Sequence, residues 1–180
     1  MMKVILHPGK EEYQDLLMRP HKDAADLGAI VASVLNDVRL EGDKAVLRYE
    51  AMYDKVELLS LEVTDKEILE AESLVSEELK QSIKLAHDNI YRFHEAQRMQ
   101  PVRVETAPGV HCWQKSVAIE KVGLYIPGGT APLFSTVLML ATPARIAGCT
   151  DIVLCSPPSR DGKLHPAILY AAKIAGVNRI

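Results

Sequence analysis

Residues 121–155 have the sequence "KVGLYIPGGTAPLFSTVLMLATPARIAGCTDIVLC", which predicts a strand, a helix and a second strand in succession. The first strand covers 121–126 and breaks at Pro127-Gly128-Gly129. The helix runs from Leu133 to Ala147. "DIVLC" at 151–155 is almost continuously apolar, as in strands of a parallel sheet that are buried on both faces.

The stretch "HPAILYAAKIAG", residues 165–176, predicts the next helix, with Pro166 tolerated in its first turn and Gly176 as its C-cap. "VNRI", residues 177–180, then begins a third strand. The order β-α-β-α-β is typical of a doubly wound unit with right-handed crossovers. Because Ile180 falls inside the expected strand, we expect these 180 residues to be the front part of a longer protein. Pro143 lies inside the helix predicted from Leu133 to Ala147, so we expect that helix to be kinked or to restart there.

Residues 10–99 predict helix after helix. Gly42-Asp43 ends one helix and starts the next, Thr64 and Glu67 have capping-box spacing, and Ser76 caps a long helix. The apolar residues of the first of these helices recur at helical spacing; they are Leu27, Ile30, Val31, Val34, Leu35 and Val38.

Short alternating runs on either side of Pro108-Gly109 predict extended segments or a hairpin before the strand at 121. The expected fold class is therefore α/β: a helical N-terminal region with short extended segments at 1–120, followed by an incomplete doubly wound, Rossmann-like parallel sheet domain that starts at 121–180.

Composition excludes several classes of protein. With 48% hydrophobic residues, 25% charged residues and a net charge of −3, the chain is typical of a soluble globular protein. It has no basic block for nucleic acid and no apolar run long enough to cross a membrane. We expect a cytoplasmic protein, because Cys112, Cys149 and Cys155 are odd in number and lack CxxC spacing. Cys149 and Cys155 are predicted to be small buried side chains.

The break after Tyr125 has two interpretations. Ligands of open parallel sheets bind beyond the carboxyl ends of the strands, and two glycines there let a nucleotide or phosphate approach the backbone, at positive φ if needed. The alternative is a tight strand-to-helix connection whose glycines serve packing only. "IPGGTAPL" is not GxGxxG, and no acidic residue follows the second strand to hold a ribose. If a ligand binds, Tyr125 is the candidate contact, through ring stacking and its hydroxyl.

His87 and His94 lie seven residues apart on one predicted helix. Metal ligands on a helix are usually three or four residues apart, and no other Cys or His nearby completes a set. Solvated or packed histidines are therefore predicted.

Residues 120–158, "EKVGLYIPGGTAPLFSTVLMLATPARIAGCTDIVLCSPP", closely resemble the long signature of the histidinol dehydrogenases. Further segments resemble the family in order along nearly the whole chain. They are "LLMRP", "GDKAVLRYEAMYDKVEL", "NIYRFHEAQ", "VETAPGVHC" and "HPAILYAAKIAGVNRI". One departure is Val117-Ala118, where many members have Arg-Pro, so any ionic anchor made by that Arg is in doubt.

The resemblance implies NAD-dependent, two-step oxidation of L-histidinol through histidinal to L-histidine, the last step of histidine biosynthesis, in a zinc-containing homodimer. It assigns one NAD contact to this chain, Tyr125. The family's zinc ligands and its Glu-His proton-transfer pair lie beyond residue 180, so no catalytic or metal-binding residue is assigned here, and the 180-residue chain alone is expected to be inactive. The alternative is a non-catalytic module that binds a nucleotide or pairs with a dehydrogenase subunit.

Overall fold

The structure is a computed structural model that describes residues 4–19, 25–129 and 131–180. Pro20 of "LLMRP" and Thr130 of the predicted break lie outside the described residues. The chain divides into two compact units, with the boundary after Gly42.

The first unit is helical. A single 3₁₀ turn at Lys10–Glu12 leads into α1 (Tyr13–Leu17), and α2 spans Ala25–Glu41. α2 carries the predicted apolar stripe, and it ends before Gly42. The φ of Gly42 is 61°, which is left-handed and therefore incompatible with a continued right-handed helix. The predicted helix and its stop are both confirmed.

The second unit begins with four helical segments, two of which have side-chain N-caps. They are α3 (Asp43–Tyr49), a π-helical segment (Glu50–Asp54), α4 (Asp65–Leu74) and α5 (Glu77–Glu95). The Thr64 hydroxyl accepts from the Glu67 N–H at 3.3 Å, and the Glu67 carboxylate accepts from the Thr64 N–H at 2.8 Å. Ser76 accepts from the Leu79 N–H at 3.3 Å. Both predicted caps are confirmed.

The predicted hairpin is present. β1 (Val102–Ala107) pairs antiparallel with β2 (Val110–Gln114) through a turn in which Gly109 has a φ of 79°. Every residue of both strands is exposed.

The parallel sheet follows the predicted order. β3 (Lys121–Tyr125) pairs in parallel with β4 (Asp151–Cys155), with Val122 opposite Ile152, and a parallel bridge joins Val153 to Arg179. α6 (Phe134–Ala147) and α7 (Pro166–Ile174) connect these segments. The α/β class with a parallel sheet is therefore confirmed, whereas the predicted third strand is represented in the described residues by the single bridge at Arg179.

The helices cover one face of this sheet. α6 and α7 pack on each other and on the face that carries Val122, Leu124, Ile152 and Leu154, and the last two side chains are fully buried. On the opposite face, called the open face here, the side chains are exposed or half-buried: Lys121, Gly123, Tyr125, Asp151, Val153 and Cys155. The expectation that "DIVLC" is buried on both faces is wrong for the described residues, because no described helix covers the open face.

The core lies between the sheet and the three helices α5, α6 and α7. Ile83 of α5, Leu138 of α6 and Leu154 of β4 are among its fully buried side chains, and α7 contributes an almost continuous buried surface. Because a sheet and the apolar sides of helices must cover each other, the apolar side of α5 is buried here through Ile83, with Leu79, Ala86 and Ile90 packed beside it.

Pro143 lies within α6, which runs without interruption from Phe134 to Ala147. The predicted restart is therefore not observed. Pro143 has no N–H to offer the Met139 carbonyl, so this intrahelical hydrogen bond is missing although the helix continues.

Among the described residues, no helix is both long and apolar enough to span a membrane.

Candidate functional site

Tyr125 is the last residue of β3, at the carboxyl end of the strand. Its side chain lies on the open face and is 64% exposed. The next residue, Ile126, is fully buried, and its N–H donates to the Cys155 carbonyl at 2.9 Å. The buried Ile126 and the sheet hydrogen bond therefore hold the chain firmly directly after the exposed tyrosine ring.

The two glycines of the break differ in their surroundings. A Cβ on Gly128 would lie 2.7 Å from Cγ of Pro157, so Gly128 allows the loops after β3 and β4 to pack closely. A Cβ on Gly129 would meet nothing within 4 Å. Neither glycine has positive φ, so the left-handed conformation considered for this turn is not used. Gly128 serves packing, whereas the backbone at Gly129 is accessible.

The start of α6 also faces this edge of the sheet. Leu133 is its N-cap, and no side chain among the described residues caps the helix. The 14-residue helix therefore presents unpaired N–H groups and the positive end of its dipole near the break.

The histidines have ordinary partners. Nδ1 of His87 lies 3.3 Å from the Asp88 carboxylate, and Nδ1 of His94 lies 2.8 Å from Oε1 of Gln97. His165 caps α7, since its Nδ1 accepts from the Ala167 N–H at 3.1 Å. In the chain as described, no three His, Cys, Asp or Glu side chains lie together as a metal-binding group.

Of the two cysteines predicted to be buried, one is buried and the other is exposed. Cys149 is buried, as predicted. Cys155 is exposed, so the expectation of a buried side chain is wrong for it. The parallel register pairs Cys155 with Tyr125 on the open face, which apolar neighbours in sequence could not indicate.

Glu50 is a feature that sequence reasoning missed. It opens the π-helical segment after α3, and its Oε2 is buried without a hydrogen-bond partner among the described residues. Burial, and secondarily the Asp54 carboxylate, raises the pKa of Glu50 above its ordinary value of 4.5. The sequence contains a hint of this burial. Glu50 comes four residues after Val46 of α3 and therefore lies on the apolar side of that helix if the helix is continued.

The raised pKa makes Glu50 a source of pH-dependent stability. The folded chain holds the Glu50 proton to higher pH than the unfolded chain, so its contribution is complete below pH 4.5 and is lost as pH rises through the raised pKa. We expect Glu50→Gln to raise the free energy of unfolding at pH 7.5 by roughly 0.5 kcal/mol, and by less at pH 4. Urea unfolding at the two pH values measures this. An equal change at both would contradict it.

Comparisons with known proteins identify the family of this chain. A profile of the histidinol dehydrogenases matches residues 17–180. The chain belongs to the histidinol dehydrogenase family. The histidinol dehydrogenase of Bacteroides thetaiotaomicron is 60% identical over 180 residues, which are 100% of this chain and 42% of that protein. The histidinol dehydrogenase of Salmonella choleraesuis is 51% identical over 171 residues, 94% of this chain and 38% of that protein.

A solved structure supports the same assignment. The histidinol dehydrogenase of Elizabethkingia anophelis superimposes with a TM-score of 0.89 and 46% sequence identity, over 94% of this chain and 39% of that chain. The chain thus spans about two-fifths of the length of the curated histidinol dehydrogenases it matches. The family resemblance first indicated by residues 120–158 is confirmed.

Proposed function

We propose that this chain contributes the first part of a histidinol dehydrogenase, which oxidises L-histidinol to L-histidine through histidinal with NAD. The observation that carries the proposal is 60% identity to a histidinol dehydrogenase along all 180 residues, together with the shared fold. The reaction completes histidine biosynthesis, and we propose a cytoplasmic homodimer as its setting, without nucleic-acid or membrane partners.

The part at 121–180 is proposed to begin the NAD-binding domain, and 1–120 to be a helical N-terminal region. The residues at the β3 edge fit such a cofactor: the Tyr125 ring is exposed, the Gly129 backbone is accessible, and the α6 N-terminus is uncapped among described residues. NAD when bound accepts hydride. Tyr125 would stack on it, and the buried Ile126 keeps that ring in place.

The described residues do not bring together a set of side chains that fits zinc. The resemblance assigns the zinc ligands and the proton-transfer pair to parts of the family that this chain does not contain. We therefore propose that the 180-residue chain alone does not oxidise histidinol.

An activity assay tests the proposal. The protein expressed from its full reading frame, with zinc, is expected to form two NADH per L-histidinol, and the 180-residue chain none. Absence of NADH from the full-length protein would refute the dehydrogenase assignment. NADH from the short chain would refute its proposed inactivity.

Tyr125→Ala in the full-length protein is expected to raise the apparent KM for NAD about tenfold, because base–aromatic stacking contributes about 1–3 kcal/mol. Tyr125→Phe keeps the ring and is the matched control; it is expected to change KM less than about threefold if stacking dominates. Steady-state kinetics with varied NAD at saturating histidinol measure both. Unchanged KM in Tyr125→Ala would remove Tyr125 from the cofactor site.

A further inference from the structure

The loop that follows β4, residues 156–165 and called the β4 loop here, lies against the break that follows β3. A Cβ on Gly128 would lie 2.7 Å from Cγ of Pro157, 3.7 Å from its Cβ and 3.9 Å from its Cδ. The Gly128 backbone therefore rests on the half-buried Pro157 ring. The Ile126 N–H donates to the Cys155 carbonyl at 2.9 Å, so the break and the β4 loop leave the sheet side by side.

The β4 loop is held at several points. Two consecutive prolines follow its first residue, and each ring fixes one φ angle. The Ser159 N–H donates to the Lys163 carbonyl at 2.9 Å, and the Gly162 N–H donates to the Ser159 carbonyl at 2.8 Å, which closes a tight turn. A Cβ on Gly162 would lie 3.3 Å from Cδ2 of Leu58, so the turn also packs on the segment before α4. A loop held in this way yields little when its proline ring is pushed.

The break itself has less support. Gly128 and Gly129 have no side chains, and in the part of the chain that the structure describes, residues 127–129 make no hydrogen bond. Tyr125, in contrast, belongs to a strand that the sheet holds in place. The contact of Gly128 with Pro157 is therefore what sets the distance between the Gly129 backbone and the Tyr125 ring.

We propose that Pro157 and Gly128 are positioning residues for NAD. The Pro157 ring is the fixed surface on which the break rests, and Gly128 is the residue without a side chain that lets it rest there. This inference rests on the proposed function, in which the Tyr125 ring and the Gly129 backbone receive the cofactor. A displacement at Gly128 changes the spacing of these two groups, although neither Gly128 nor Pro157 needs to touch a reacting atom.

Gly128→Ala in the full-length protein tests the inference. The Pro157 ring is closed onto its own backbone, so the added Cβ must push the break away from it. Gly128 has no positive φ, so backbone strain does not contribute. We expect the Kd for NAD, measured by isothermal titration calorimetry, to rise about tenfold, with a similar rise in the apparent KM for NAD. The KM for histidinol at saturating NAD is expected to change less than about twofold.

Pro157→Ala provides the rescue. Alone, it removes the surface on which the break rests, and we expect the Kd for NAD to rise about threefold. In the double variant Gly128→Ala/Pro157→Ala, the new methyl group occupies the space that the ring vacates, and the Kd is expected to return to within about threefold of wild type. Gly123→Ala is the matched control for adding a methyl group, because a Cβ there meets nothing within 4 Å, and its Kd is expected to equal that of wild type.

An unchanged Kd in Gly128→Ala, or a double variant that binds NAD no better than Gly128→Ala, would overturn the inference. So would a wild-type protein that binds no NAD. If circular dichroism shows that Gly128→Ala does not fold, Pro157→Ala decides, since an unchanged Kd there removes Pro157 from this role. A wild type that binds NAD but forms no NADH would refute the dehydrogenase assignment alone, because the comparison of Kd values would still test the positioning role.

Discussion

Leu138→Ala is expected to lower the free energy of unfolding by about 3 kcal/mol, the largest effect we predict. Leu138 is fully buried at the centre of α6, where the core of helices α5 and α7 meets the sheet. Alanine removes three carbon atoms from that core, and the helices, held by the strands on either side, cannot close the resulting cavity completely. Urea unfolding of the purified chain, followed by circular dichroism, measures the change.

Met139→Ala is the matched control. It is the next residue of the same helix and is 61% exposed, so we expect a change within about 0.5 kcal/mol. If the two substitutions cost the same, the packing of α6 described here is incorrect.

Gly176→Ala is expected to cost about 2 kcal/mol, for two reasons that act together. Gly176 has a φ of 77°, a conformation that costs an L-residue about 1–2 kcal/mol. A Cβ there would lie 3.0 Å from Nε of Arg145, whose guanidinium group donates to the Gly176 carbonyl and, at 3.4 Å, to the Cys149 carbonyl. The arginine must move, and the ends of α6 and α7 lose their shared donor.

Gly123→Ala separates these causes from the general effect of replacing glycine. Gly123 lies on the open face of β3 without positive φ, and a Cβ there meets nothing within 4 Å. We expect it to change stability by less than about 0.5 kcal/mol, or to increase it slightly. Equal losses at the two glycines in the same denaturation experiment would exclude the Arg145 contact as a cause.

Features that depend on neighbours within four residues were predictable from the sequence. The capping box at Thr64, the Ser76 cap and the Gly42 stop each rest on hydrogen bonds or backbone angles inside one turn. The β-α-β-α-β order follows from hydrophobic periods that change along the chain. The family resemblance at 120–158 belongs to the same level, because it is carried by contiguous residues.

Features that depend on distant residues were not predictable. "DIVLC" is apolar on both sides, yet only Ile152 and Leu154 are fully buried, because α6 and α7 pack on the same face. Gly128 has its packing role because Pro157, on another loop, lies against it. Neither fact is contained in local sequence.

The candidate site, too, has features that were predictable from the sequence and features that only the tertiary structure shows. The sequence by itself determined the element order, the helix ends, the family and the position of Tyr125 at a strand end, since these follow from local backbone preferences and contiguous motifs. Only the tertiary structure decided that Tyr125 and Cys155 are exposed on one face, and that the Oε2 atom of Glu50 is buried without a hydrogen-bond partner among the described residues. The physical reason is that burial and desolvation depend on which elements cover a side chain, and those elements come from positions far apart in the chain.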